Sequence, residues 1–173
     1  MSPTPRSIDR PRLPSGYGVV DQGPYLDWES VAERLVAATE YWLATTRPDG
    51  RPHVVPRWGV WLDDRFWYDG SPLTLHARNL ETSPWCALHL ESGTEVTIVE
   101  GGSVASAPVS GELGARLSAE YSRKYRALGY APSPDAWSDE YAGGLRVLTP
   151  VKAIAWSQFP TDMTRFSFTG AGS

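Results

Sequence analysis

Along most of the chain, apolar residues alternate with polar ones at a period of two, and Gly, Pro and Asp interrupt the pattern at short intervals. That pattern predicts short strands joined by tight turns. Residues 41–46, YWLATT, are aromatic and β-branched, and Arg47-Pro48-Asp49-Gly50 has the composition of a turn. A long strand is expected over 51–62, with Asp63-Asp64 connecting it to a partner at 65–68. Pro52 and Pro56 fall inside that long strand. A proline cannot donate to a ladder, so the strand should lie at an edge or bulge near Pro56, leaving backbone groups at 54–58 free. Strands at 85–91 and 94–100 flank Ser92-Gly93, the second resuming to Ala105 beyond Gly101-Gly102. A long strand at 145–156 and a short one at 164–168 complete the set.

The period of 3.6 appears in three places. Asp27 is placed to cap a helix running through Val31, Leu35 and Ala38. A short helix is expected over 74–81, before Pro84. The clearest helix spans 112–128, with Leu113, Leu117, Tyr121 and Leu128 near one face and Gly129 placed as its C-terminal cap. Residues 131–143, rich in Pro, Asp and Ser, read as a loop with a helical turn near Trp137. Residues 1–24, with Pro3, Pro5, Pro11 and Pro14 among Arg6, Arg10 and Arg12, read as an irregular arm before a single domain at 25–173. Six to seven antiparallel strands with few helices predict a mainly β, α+β barrel with peripheral helices rather than a doubly wound sheet.

Composition narrows the function. The 173 residues carry a net charge of −4, which disfavours non-specific attraction to nucleic acid or an anionic membrane. No apolar run approaches a membrane span, so the expectation is a cytoplasmic protein. Cys86 is the single cysteine and reads as a buried strand residue. His53, His76 and His89 lack metal-site spacing, so no metal is expected. There is no GxGxxG or Walker loop and no GxSxG elbow, which leaves hydrolase chemistry without support. The eight tryptophans suit core packing and pockets for planar ligands alike.

Two segments carry candidate chemistry. Ser71 and Thr74 stand at the entry of the short helix, where unpaired amides and the positive end of the dipole favour an anion. His76 and Arg78 follow within a turn, adding cationic or hydrogen-bonding side chains. The alternative is a helix merely capped by Thr74, with Arg78 paired to Glu81 or to solvent. On the preceding strand Arg51, His53 and Arg57 share one face, which suits either a phosphorylated ligand or a solvated barrel exterior.

The run DGRPHVVPRWGVWLDDRFWYDGSPLTLHARNL, followed by Pro84, WCALHLESG and VTIVEG, resembles the pyridoxamine 5′-phosphate oxidase-like split-barrel superfamily, and within it the flavin/deazaflavin oxidoreductases that use coenzyme F420. The resemblance implies an FMN-binding-like split β-barrel working as a homodimer. It implies a phosphate held at Ser71, Thr74, His76 and Arg78, with Asn79 also among the cofactor-binding residues. The ring would lie along the backbone of Val54, Val55, Pro56, Arg57 and Trp58, with Tyr68, Asp69 and Gly70 contributing and His53 also among the cofactor-binding residues. Trp156 and Arg165 of a second copy would complete the pocket. Many relatives carry Lys where His76 stands. The favoured function is hydride transfer from reduced F420 to a small unsaturated or quinone-like molecule. The alternatives are an FMN-binding oxidase or flavin reductase, and a non-catalytic carrier of a planar ligand such as haem. The catalytic acid is unassigned, with His53 and Arg57 as candidates by position. The polyglutamate tail of F420 would call for basic residues, and Arg51, Arg57, Arg6, Arg10 and Arg12 are available.

Overall fold

In a computed structural model, which describes residues 5–16 and 22–168, the strands assemble into one antiparallel system. Part of the arm at 1–24 and the end of the domain lie outside the described residues. The strands are β1 (Ser7–Asp9), β2 (Tyr41–Thr46), β3 (Pro52–Arg57), β4 (Val60–Leu62), β5 (Arg65–Tyr68), β6 (Trp85–His89), β7 (Val96–Ala105), β8 (Arg146–Trp156) and β9 (Thr164–Ser167). The helices are α1 (Trp28–Ala37), α2 (Leu75–Thr82) and α3 (Gly111–Tyr125). The sheet order is β1-β9-β8-β7-β6-β2-β3, and β5 joins both β4 and the start of β8.

The structure departs from the pattern in two places, which raises the strand count to nine. Ser7–Asp9, read as part of an irregular arm, pairs with β9, and Arg165 binds the Asp9 carboxylate at 2.7 Å. A partner 156 residues away leaves no local period to read. The expected strand over 51–62 breaks at Trp58-Gly59 into β3 and β4. A Cβ on Gly59 would run into the Phe66 ring and the Trp67 carbonyl. Pro52 and Pro56 lie where edge pairing allows them, since β3 ends the sheet order with β2 as its ladder partner.

Two cores support this frame. Inside the sheet, Tyr41, Leu43, Phe66, Leu88, Val99 and Leu148 pack with Val31 and Leu35 of α1, whose start is capped by Asp27 accepting from Ser30 N–H at 3.2 Å. Beneath α3, Leu117, Tyr121 and Tyr125 pack on Val60, Trp67, Trp137 and Leu145. Gly129 closes the 3₁₀ turn after α3 in a left-handed conformation, φ 86°. Tyr125 ties the second core to the strand break. Its hydroxyl accepts from Gly59 N–H at 2.9 Å and lies 2.7 Å from the Thr39 carbonyl. Leu88 is fully buried in the first core. Leu88→Ala should lower the unfolding free energy by about 2–5 kcal/mol in chemical denaturation. A change within about 0.5 kcal/mol would contradict this assignment of the core.

Candidate functional site

The site forms where β3, β5 and α2 meet. Because Pro52 and Pro56 lack an amide hydrogen, their nitrogens must face away from β2. Val54 has the same parity, so its N–H is the amide that the strand offers on its open edge, beside the carbonyls of Pro52, Val54 and Pro56. The side chains of this edge strand divide as the alternation predicts. Val54 and Trp58 are exposed, whereas Val55 packs against the core, with His53 and Arg57 half-buried on the same side. His53 and Arg57 of the polar face are therefore turned inward, whereas Arg51 of the same face is exposed and paired with Asp49.

Arg57 reaches the end of β5. Its Nη2 donates to the Asp69 carbonyl, its guanidinium lies 5.7 Å from the Tyr68 ring centroid, and its buried Nε has no partner among the described residues. One oxygen of the Asp69 carboxylate accepts from the Tyr130 hydroxyl and from Trp137 Nε1, the latter at 3.0 Å. Burial, together with this bond to Asp69, raises the Tyr130 pKa above the usual tyrosine value. Gly70, Ser71 and His76 line a cavity of about 230 Å³ whose other walls include Tyr141, Gly144 and Arg146. A Cβ on Gly144, φ 74°, would run into the Gly70 carbonyl, so the segment after Trp137 can lie this close only with glycine there.

At the start of α2 the first intrahelical bond runs from Arg78 N–H to the Thr74 carbonyl, at 3.1 Å. The amides of Leu75, His76 and Ala77 have no backbone acceptor among the described residues. Thr74 does not cap them, because its hydroxyl donates to the Ser71 carbonyl at 2.9 Å. No acidic residue stands in the first turn, whereas α1 has Glu29 and α3 has Glu112. The positive end of the α2 dipole is thus uncompensated. Arg78 is exposed, and no hydrogen bond or ion pair engages its guanidinium among the described residues. Glu81, its expected alternative partner, binds Arg146 at 2.8 Å instead.

The remaining candidates separate. His76 is buried and points into the cavity, and its Nε2 lies 3.2 Å from the Thr74 hydroxyl. Burial first, then the neighbouring Arg57, His53 and Arg146, lower its pKa to about 4. It is therefore neutral at pH 7 and serves as a hydrogen-bonding group rather than a cation. Asn79 is buried, and its amide donates to Thr45 Oγ1 at 3.0 Å, bracing α2 on β2. Trp156 packs on Phe159 and Arg165 binds Asp9, both away from the Arg146–Leu148 stretch of β8 that pairs with β5 near the site. Arg51 is paired with Asp49, and Arg10 donates to the Gly23, Thr161 and Met163 carbonyls. These two side chains are engaged elsewhere, so they do not form a tail groove beside α2 within one chain.

Sequence reasoning missed Arg146, Tyr130 and Trp137. Arg146 carried a signal, since it alternates with buried Leu148 and so occupies an inward position where an isolated charge is costly. Tyr130 and Trp137 carried none, lying at or within a stretch without a period.

The chain belongs to the pyridoxamine 5′-phosphate oxidase family, whose profile matches residues 28–153. Among curated proteins no match was found. Solved structures with the same fold include a haem-binding protein from Mycobacterium smegmatis (18% identity, TM-score 0.57, covering 79% of this chain and 56% of that one). The haem storage protein HutZ from Vibrio cholerae is similar too (21%, 0.53, 70% and 88%). An F420 reductase also matches (22%, 0.50, 73% and 96%). At these identities the likeness is one of fold. No described helix is long and apolar enough to cross a membrane, and no described group of three or more His, Cys, Asp or Glu could hold a metal ion.

The state of His76 can be tested through stability. Its pKa is about 4 in the folded chain and near 6.5 when unfolded, so between these values the unfolded chain binds more protons. Its contribution should be complete above about pH 6.5 and lost as the pH falls towards 4. Denaturation midpoints measured across that window should fall less steeply for His76→Gln than for the parent chain. Identical slopes would show that His76 titrates normally.

Proposed function

We propose that the chain is a cofactor-dependent oxidoreductase that binds a deazaflavin phosphate, coenzyme F420, with its phosphate at the start of α2 and its ring along the open edge of β3. The observation that carries this reading is the set of unpaired Leu75, His76 and Ala77 amides beside the unengaged Arg78 guanidinium. A phosphate matches both parts. Amides at a helix start and a forked guanidinium are each suited to its oxygens, and no carboxylate of the first turn opposes it. The Val54 N–H and the neighbouring carbonyls give a planar heterocycle with its own donors and acceptors an edge to pair with. Resemblance to the F420-using branch favours the deazaflavin over FMN.

When bound, the cofactor supplies hydride chemistry, and the substrate is a small unsaturated or quinone-like molecule. The protein's part is to fix the ring against β3 and to present Arg57, whose Nη2 is spent on the Asp69 carbonyl and whose Nη1 can stabilise negative charge on a substrate oxygen. The phosphate is held by donors of the backbone and Arg78, while neutral His76 contributes a hydrogen bond. In this reading two copies share the site, with Trp156 and Arg165 contributed by the second.

Titration of the purified protein with F420 and with FMN, followed by fluorescence, tests the assignment. F420 should bind, and Arg78→Ala should weaken it by about 1.5–3 kcal/mol. FMN binding without F420 binding would replace the deazaflavin with a flavin. Binding of neither, with a Soret band on adding haem, would make the protein a carrier. An unchanged affinity in Arg78→Ala would show that the phosphate lies elsewhere.

A further inference from the structure

His76 is the second residue of α2, and its ring turns back over the helix start, with Nε2 3.2 Å from the Thr74 hydroxyl. The residue is 5% exposed and lines the cavity that Ser71 and Arg146 also wall. Thr74 gives its hydroxyl hydrogen to the Ser71 carbonyl. The contact between the two side chains therefore has His76 Nε2–H as its donor, which makes Nδ1 a bare acceptor. No group among the described residues engages that nitrogen. A buried acceptor left open on a cavity wall favours a ligand atom that carries a hydrogen and disfavours one that is fully anionic.

The charges around the ring point the same way. His76 faces His53 and Arg57 of β3 and Arg146 of β8, and the Tyr68 ring of β5 lies 6.3 Å away. Burial and these neighbours lower its pKa to about 4, so it adds no charge at pH 7. Arg146 is paired with Glu81 at 2.8 Å, and Asp69 and Glu140 line the same cavity. Arg57, Arg78 and Arg146 are thus offset by Asp69, Glu81 and Glu140. The surplus is the positive end of the α2 dipole, equivalent to about half an elementary charge. That field suits one negative charge. A second would meet no further cation and would face the Nδ1 lone pair.

We infer that His76 is a specificity-determining residue that makes the seat at α2 selective for a singly charged phosphate, either a phosphodiester or a monoester that keeps one proton, over the monoester dianion. The inference rests on the reading of the α2 start as the phosphate seat and adds the charge state of the phosphate, whatever ring it carries. A diester brings one charge for the amides and Arg78 to share. A protonated monoester brings the same charge and gives its P–O–H hydrogen to Nδ1.

Two pairs of ligands test this by fluorescence titration of the full chain. One is the F420 ring and ribityl chain ending in a phosphate monoester or in its methyl diester; the other is FMN and its methyl diester. The unphosphorylated forms serve as references. Titrations are run at about pH 7.5 and about pH 5.5, on either side of the second pKa of a phosphomonoester at about 6. The diester keeps its charge across this window, so it reports any titration of the protein itself, His53 included. At the higher pH the diester should bind about tenfold more tightly than the monoester, and at the lower pH the two should agree within about threefold. His76→Lys should bring the monoester level with the diester at the higher pH, whereas the neutral His76→Gln should keep the diester ahead. Circular dichroism melts check that both variants are folded, and the pH comparison in the parent chain is decisive if either is not. A monoester that equals the diester at the higher pH, or weakens relative to it on acidification, overturns the inference and leaves the phosphate seat standing. So does a preference that a folded His76→Lys leaves unchanged. If only the flavin pair binds, the deazaflavin assignment fails and the flavin pair decides the inference by the same criteria. Binding of neither pair, or binding no tighter than that of the unphosphorylated forms, overturns both readings.

Discussion

A strand that pairs on one side and carries two prolines governs the architecture of the site. Pro52 and Pro56 are compatible with the ladder to β2 only if their nitrogens face outward, which makes β3 an edge and leaves Val54 as its outward amide donor. The edge cannot be extended by an ordinary neighbouring strand, since two of three outward positions lack a hydrogen to give. It remains open to a ligand while resisting strand addition. The chain then leaves the ladder at Trp58-Gly59, and that break sets Arg57 against the end of β5 and Trp58 against Tyr125.

The chemistry of the site follows from how its donors are spent. At α1 the Asp27 carboxylate caps the Ser30 amide, whereas at α2 the threonine in the same position turns its hydroxyl back to Ser71 and caps none of the first-turn amides. Nearby, Glu81 is drawn to buried Arg146, which leaves Arg78 unengaged. Asp69 collects Tyr130 and Trp137 on its carboxylate and Arg57 on its carbonyl, so one residue joins the segment after α3 to the open edge of β3. The buried neutral His76 fits this arrangement, because a second cation beside Arg57 and Arg146 would be both desolvated and repelled.

Much of the fold was legible in the sequence because its strands alternate and its turns carry Pro-Asp-Gly and Ser-Gly signals. The edge position of β3 was legible from its prolines, and the start of α1 from Asp27. What escaped was non-local. Ser7–Asp9 is a strand only because β9 is there, and the break at Gly59 exists because Phe66 and Trp67 come so close. In the site, the Ser71–Arg78 segment could be read as anion-friendly, but the fate of each side chain could not. Asn79 turned inward to Thr45, His76 was buried, and the segment bearing Tyr130, Trp137 and Tyr141 came to wall the site from a stretch without periodicity.

The central claim is that the unpaired amides at the start of α2 hold the phosphate of the cofactor. Amide-resolved NMR with F420 added to isotope-labelled protein addresses it directly. The account predicts that the Leu75, His76 and Ala77 amides shift most and exchange more slowly with solvent, together with the Arg78 side-chain Nε–H. Saturating cofactor that leaves these four signals unmoved while others shift would contradict it.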